Sequence, residues 1–188
     1  LLTFQQRIQG LLGGLDLRSS DGRALAALLQ QPRRLALLAY LAAAGPGAMV
    51  RRDRLLLLFW PELEDSRGRA ALSQALHVLR RNLGPNAIVT RGTEEVGIDP
   101  AWLVADVVEF EAALARQQWE AAARLYGGEF LSGFHLGDAP EFGQWLDETR
   151  GALRRRARLS FTRLADQADA AGDAALAVAW SRRALALD

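Results

Sequence analysis

The chain has 188 residues, half of them hydrophobic and about a quarter charged, so it is long and apolar enough to bury a core. Cysteine is absent, which excludes disulfides, thiolate metal sites and a cysteine nucleophile. All 23 basic residues are arginine, so the lysine that a P-loop or a Schiff base needs is also missing.

The charge is distributed unevenly along the chain. Residues 1–98 hold 13 Arg against 8 Asp and Glu, a balance of +5, whereas residues 99–188 hold 10 against 14, a balance of −4. Such an asymmetry indicates that the first half binds a polyanion and that the second half has a different function. The excess of +5 is too small to identify the polyanion without further evidence.

The first half alternates short strands with helices. Residues 8–25 combine short apolar segments with turn residues, which predicts strands. Three helices follow, which we predict at residues 32–44, 52–60 and 66–83, the last one capped by Ser66 and closed by Gly84-Pro85. Residues 88–90 and 95–98 then predict a hairpin with its turn at 91–94. This is the element order of a winged helix-turn-helix.

After Asp99-Pro100 the pattern predicts helices only. Apolar side chains recur at helical spacing in residues 110–114 and 119–126, and a loop rich in Gly and aromatics follows at 127–134. A long helix is expected at 139–171 and a last one at 174–187, and residues 158–188 have the spacing of a tetratricopeptide unit. We therefore predict a mainly α fold, with a winged helix over residues 1–98 and an all-α, tetratricopeptide-like domain over 103–188.

Several segments resemble Streptomyces antibiotic regulatory proteins. In the first half these are Leu12-Gly13-Gly14-Leu15-Asp16-Leu17, residues 33–41, Arg52-Asp53-Arg54-Leu55 to Phe59-Trp60-Pro61, and Ala71-Leu72-Ser73-Gln74-Ala75-Leu76 to Gly84. In the second half they are Asp106-Val107 with Phe110, Leu125-Tyr126-Gly127-Gly128-Glu129-Phe130-Leu131-Ser132-Gly133-Phe134, and Ala139-Pro140-Glu141-Phe142 with Trp145. The second set looks like the bacterial transcriptional activation domain of that family. The resemblance implies a cytoplasmic, DNA-binding transcription regulator with a winged helix of the OmpR type.

The third predicted helix has an apolar and a polar face. At about 100° per residue, Leu72, Leu76, Leu79 and Leu83 form one stripe that must face the core. A helix that enters a major groove presents hydrogen-bonding side chains to base edges, while arginines at its margin suit phosphates. The candidate DNA-binding residues are Arg67, Arg69, Ser73, Gln74, His77, Arg80 and Arg81 on this helix and Thr90 and Arg91 on the hairpin. The alternative is an ordinary solvated helix face.

Two features speak against the DNA-binding interpretation. Val78 stands where OmpR-type relatives often carry a basic residue, although it could touch a thymine methyl group. Glu94 and Glu95 would repel a phosphate near the hairpin.

Glu62, Glu64 and Asp65 form an acidic cluster between the second and third predicted helices. In OmpR-type relatives this loop meets RNA polymerase, so the resemblance makes these residues candidates for that contact. The alternative is a solvated loop that caps the third helix.

We therefore predict a transcriptional regulator, most simply an activator, that binds double-stranded promoter DNA and contacts RNA polymerase or forms a homodimer with a second copy. No cofactor, metal, membrane or enzyme activity is expected, because His77 and His135 are isolated from other catalytic or ligating residues. We expect the second half to pack against the winged helix through the loop at 126–134.

The chain starts at Leu1 without a signal-peptide pattern, and we expect it to be a piece of a longer protein. The rival hypothesis is a protein-interaction module whose winged helix no longer binds DNA.

Overall fold

A computed structural model describes residues 6–14 and 30–188. The strands predicted between residues 15 and 25 lie outside the described residues. The helices of the described part are α1 (Pro32–Ala43), α2 (Arg52–Phe59), α3 (Asp65–Leu83), α4 (Asp106–Ala115), α5 (Trp119–Leu125), α6 (Pro140–Ala170) and α7 (Ala174–Leu185). Its strands are β1 (Gln6–Ile8), β2 (Met49–Arg51), β3 (Ile88–Arg91), β4 (Glu95–Ile98) and β5 (Leu103–Ala105). The predicted class, a mainly α winged helix-turn-helix followed by a helical array, is confirmed.

The three helices of the winged helix form where the sequence predicts them. Pro32 is the first residue of α1. Proline is favoured there because the N–H group that it lacks would have no hydrogen-bond partner within the helix. Gly45 follows the end of α1, with φ of +102°. Ser66 does not cap α3 as predicted. Helix α3 begins one residue earlier, at Asp65, with Glu64 at the N-cap and no side-chain cap hydrogen bond, which places Ser66 inside the first turn.

The predicted hairpin is present and belongs to a three-stranded antiparallel sheet of order β2-β4-β3. Strand β3 extends to Arg91, which pairs with Glu95, so the turn is one residue shorter than predicted. Strand β2, which joins α1 to α2, was not predicted. It pairs with β4 at Gly97, where a side chain would collide with the Ala48 carbonyl.

The expectation of helices only after Asp99-Pro100 is wrong, because β5 lies between the sheet and α4. Strand β5 pairs in parallel with β1 at the N-terminal end of the described chain. Three residues are too short to show a strand pattern, and their hydrogen-bonding partner is almost 100 residues away in sequence. The segment that follows β1 continues along the second half, where Leu131 N donates to the Leu11 carbonyl at 2.8 Å.

A buried carboxylate holds this N-terminal segment in place. Asp106, the first residue of α4, is 6% exposed and accepts hydrogen bonds from the backbone N–H groups of Gly10 (2.8 Å), Leu12 (3.1 Å) and Val107 (2.8 Å). Burial raises the pKa of the Asp106 carboxyl above its ordinary value, although the backbone N–H donors offset part of this effect. The carboxylate therefore links α4 to the start of the described chain.

An aromatic cluster joins the winged helix to α6. Tyr40 of α1 and Trp145 of α6 have ring centroids 4.6 Å apart, and Phe59 of α2 and Phe142 of α6 are 5.2 Å apart. Phe130, from the glycine-rich loop, meets Trp145 edge-on at 6.2 Å. The second half thus packs against the winged helix, as expected, and the loop at 126–134 contacts both α6 and the N-terminal segment.

The last two helices form a hairpin. Asp173 caps α7 by accepting a hydrogen bond from Leu176 N at 3.0 Å, and Gly172 has φ of +77° at the turn. Phe161 of α6 stacks on Trp180 of α7, with centroids 5.8 Å apart. Within the described part, no helix is long and apolar enough to cross a membrane.

We expect Asp106→Asn to lower the free energy of unfolding by about 1–3 kcal/mol, because the amide retains one acceptor oxygen and turns an NH2 group toward a buried N–H donor. Denaturation with urea would measure the loss. Asp166→Asn is the matched control, since Asp166 is exposed on α6. Equal stability of the two variants would contradict the anchoring role of Asp106.

Candidate nucleic-acid interface

Helix α3 has one face in the core and the other in solvent. Leu72, Leu76, Leu79 and Leu83 are fully buried, as their spacing predicts, and they pack toward α1, α2 and the sheet. The burial of this stripe fixes how the helix is rotated about its axis. The opposite side chains must therefore point away from the protein.

The outward face consists of Arg67, Ala70, Ser73, Gln74, His77 and Arg81, all of which are exposed. None of its polar side chains has a hydrogen bond or an ion pair with residues 6–14 or 30–188. The face thus combines two cations with an amide, an imidazole and a hydroxyl group that have no partner in the described part. Such groups can donate and accept hydrogen bonds at base edges in a major groove.

Arg69 is exposed but already has a carboxylate partner. Its Nη2 lies 3.9 Å from Oδ1 of Asp53, whose Oδ2 accepts a hydrogen bond from Arg51 at 3.3 Å. More than half of each side chain is exposed, so these ion pairs are weak and screened by solvent. Arg69 and Arg51 can therefore exchange Asp53 for another anion at little cost.

Arg80 has a structural contact that the sequence does not reveal. Its Nε donates to the carbonyl of Ile88 at 3.0 Å, and the side chain is partly buried between α3 and β3. Its guanidinium ties the helix to the first strand of the hairpin. Arg80 is accordingly less available to a ligand than the neighbouring Arg81.

The hairpin carries the two other predicted residues. Thr90 and Arg91 are exposed, but Arg91 Nη1 lies 3.4 Å from Oε2 of Glu95 on the paired strand. Glu94 is exposed at the turn and accepts a hydrogen bond from Thr93 at 3.1 Å. The hairpin tip therefore presents little net positive charge, in line with the repulsion that the sequence predicts.

The acidic cluster divides into two parts. Glu62 accepts a hydrogen bond from Arg33 at 2.9 Å, and Arg33 also contacts Asp138 of the second half. Burial alone would lower the pKa of the Arg33 guanidinium, but hydrogen bonds to Glu62 and Asp138 outweigh it and raise that pKa. Glu64 and Asp65 are exposed, and no hydrogen bond or ion pair joins their side chains to any other described residue.

A groove that the sequence does not predict lies beside the outward face. This groove has a volume of about 510 Å³ and is lined by Gln74 of α3, by Arg34 at the start of α1, and by Leu136 and Asp138 of the second half. Arg34 is half-buried and makes no ion pair within the described ranges. The adjacent Arg33 and Arg34 are the one feature of the sequence that could have indicated this groove. Their position next to α3 depends on the tertiary fold and cannot be predicted from the sequence.

The two histidines lie apart, His77 on α3 and His135 in the loop before α6. In the described part of the chain, no group of three or more His, Asp or Glu side chains is arranged to hold a metal ion.

Comparisons with known proteins give a likeness in structure alone. No family model matches the chain, and no curated protein matches it in sequence. Among solved structures, Mycobacterium tuberculosis EmbR, determined in complex with a low-affinity phosphopeptide, is similar with a TM-score of 0.61 and 21% sequence identity. The match covers 94% of this chain and 48% of the EmbR chain, so this chain spans about half the length of that protein. The likeness supports the fold implied by the resemblance to Streptomyces antibiotic regulatory proteins.

We expect Arg80→Ala to destabilise the protein by about 1 kcal/mol, because it removes the hydrogen bond to Ile88 and the packing of the arginine stem. Arg81→Ala is the adjacent control, since Arg81 is exposed and should change stability by no more than about 0.5 kcal/mol. Chemical denaturation of both variants would test this. If Arg80→Ala unfolds at the same denaturant concentration as Arg81→Ala, the Ile88 contact is energetically unimportant.

Proposed function

We propose that this chain is a DNA-binding transcription regulator whose α3 enters the major groove of promoter DNA. The observation that carries the proposal is the outward face, whose polar side chains have no partner in the described part, on a helix held rigidly by a buried leucine stripe. Helices that enter the major groove in helix-turn-helix proteins need such a face. The proposal requires neither a cofactor nor a catalytic residue.

The positions of the side chains suggest a division of roles. Arg67 and Arg81 lie at opposite ends of the outward face, about 20 Å apart at a rise of 1.5 Å per residue. Cations at that spacing suit phosphates on either side of the groove, while Ser73, Gln74 and His77 lie between them and suit base edges. Arg34 and Arg69 are further phosphate candidates, since the ion pair of Arg69 with Asp53 is exposed and 3.9 Å long. Arg80 and Arg91 are secondary, because each already donates a hydrogen bond.

The first test of this proposal is the salt dependence of binding. We expect the affinity for a random DNA duplex to fall steeply between low and physiological salt, because bound arginines release counterions from the phosphates. Arg81→Ala should reduce the slope of log K against log salt by about 1. Fluorescence anisotropy with a labelled duplex would measure both quantities.

Arg163→Ala provides the matched control, since Arg163 is an exposed arginine of α6 far from α3 in sequence. It should leave the salt slope unchanged. Binding that is absent at low salt, or that does not respond to salt, would disprove the proposal and favour the rival hypothesis of a protein-interaction module.

A second test separates base reading from phosphate binding. Gln74→Ala should reduce discrimination at one base pair by about 1–3 kcal/mol, because the amide can pair with an adenine edge. Arg67→Ala should instead weaken all sequences by a similar factor. Selection from a random duplex library would reveal the preference of each variant, and an unaltered profile for Gln74→Ala would refute its assigned role.

We further propose that Glu64 and Asp65 contact RNA polymerase, because they are exposed at the start of α3 and have no partner among the described residues. Glu62 is a weaker candidate, since its side chain is already paired with Arg33. The double variant Glu64→Gln, Asp65→Asn should bind promoter DNA normally and lose transcription activation in a reconstituted assay. Full activation by this variant would remove the loop from the proposal.

A homodimer is the remaining partner proposal. Val178 and Leu185 are seven residues apart on one face of α7, with 49% and 70% of their surface accessible, and we propose that they pack against a second copy. Sedimentation of the full chain with and without DNA would show whether it associates.

A further inference from the structure

Two adjoining cavities lie where the winged helix meets the second half. The larger has a volume of about 290 Å³ and is lined by the end of α1 and by one side each of α4 and α6. The smaller, of about 120 Å³, continues from it between α1, β4, β5 and α4. Both share the lining residues Ala42, Gly45, Pro46 and Val108, so together they form one bent space.

This space exists because the facing side chains are small. Ala42 of α1, Ala112 of α4 and Ala152 of α6 line the larger cavity, and no long side chain from the described part fills it. The turn after α1 does not close the gap, because Gly45 and Pro46 also have little side-chain volume to offer. An apolar molecule that covers these apolar walls would remove them from water, which favours its binding.

The polar groups of the lining are few and lie on one side. Described residues around the smaller cavity are all apolar. The larger one has Glu111 and Arg156, which contact each other across α4 and α6 and so cancel in charge, and Thr149. Thr149 is half-buried, and its hydroxyl has no hydrogen-bond partner in residues 6–14 or 30–188.

We propose that the adjoining cavities form one binding site for a small, uncharged, mostly apolar molecule of one or two rings that carries a single hydrogen-bonding group. The rings would pack against the apolar walls, and the Thr149 hydroxyl would form a hydrogen bond with the polar group of the ligand. Balanced charges at Glu111 and Arg156 disfavour an ionised ligand, because neither sign of charge finds an unpaired partner there. Pockets of this composition are typical of small-molecule sites at domain contacts.

A bound molecule would touch α1 of the winged helix together with α4 and α6 of the second half. Because the ligand binds only the packed arrangement, it should stabilise the folded chain by mass action. This site depends on the contact between the two halves and is independent of whether α3 binds DNA.

Indole is a suitable probe, since it is neutral, has two fused rings and carries one N–H donor. We expect the melting temperature of the full chain to rise with the logarithm of the indole concentration once that concentration exceeds the Kd. Nuclear magnetic resonance titration of the folded chain should show saturable binding, with nuclear Overhauser effects between indole and the Val108 methyl protons. Ala152→Leu should fill the larger cavity and weaken indole binding at least tenfold. Ala115→Leu, an exposed position on α4 outside the lining, should bind like the parent protein.

Ala112→Leu fills the same space from α4 and replaces Ala152→Leu if that variant does not fold. The contacts to Val108 in the parent protein need no variant. Absence of saturable binding, Overhauser effects to other residues only, or undiminished binding by a folded cavity-filling variant would each overturn the proposal.

Discussion

The arrangement of the chain depends on the buried carboxylate of Asp106. By accepting N–H groups from Gly10 and Leu12, it satisfies backbone donors that the packing of the two segments removes from water. An unsatisfied buried donor costs about 1–3 kcal/mol, so the N-terminal segment is held most stably where this carboxylate can reach it. Since Asp106 directly follows β5 and begins α4, one residue fixes the pairing of β1 with β5 and the start of the helical half.

Helix α1 transmits this arrangement to α3. It is buried along most of its length because α2, α3 and α4 pack against it. Tyr40 contacts Phe59 of the winged helix and Trp145 of α6, with centroid distances of 5.9 and 4.6 Å. The outward face of α3 therefore has a defined orientation relative to the second half. Arg33, which contacts Glu62 and Asp138, adds an ionic link at the same boundary.

The features that could be predicted from the sequence are those with a local cause. The leucine stripe of α3 follows from a period of 3.6 residues, and the hairpin follows from two short strands around a glycine turn. Strands β2 and β5 have three residues each and acquire their hydrogen-bonding partners only in the tertiary fold. The same limit explains the candidate site. Exposure of Gln74 and His77 follows from helical geometry, whereas the contacts of Arg80 with Ile88 and of Glu62 with Arg33 depend on how separate elements pack.

Strand β1 also affects how far the two halves are interchangeable. It lies ahead of α1 in the predicted winged-helix range but pairs with β5, which leads into the helical half, so a strand from one half is hydrogen-bonded to the other. A cut near residue 98 would separate β1 from β5 and would leave the N–H groups of Gly10 and Leu12 without the Asp106 carboxylate. A chimera that carries this winged helix onto another helical array would need to bring β5 and Asp106 with it, or supply an equivalent edge and carboxylate. The unit that recombination could exchange intact is thus larger than the sequence boundary between the halves implies.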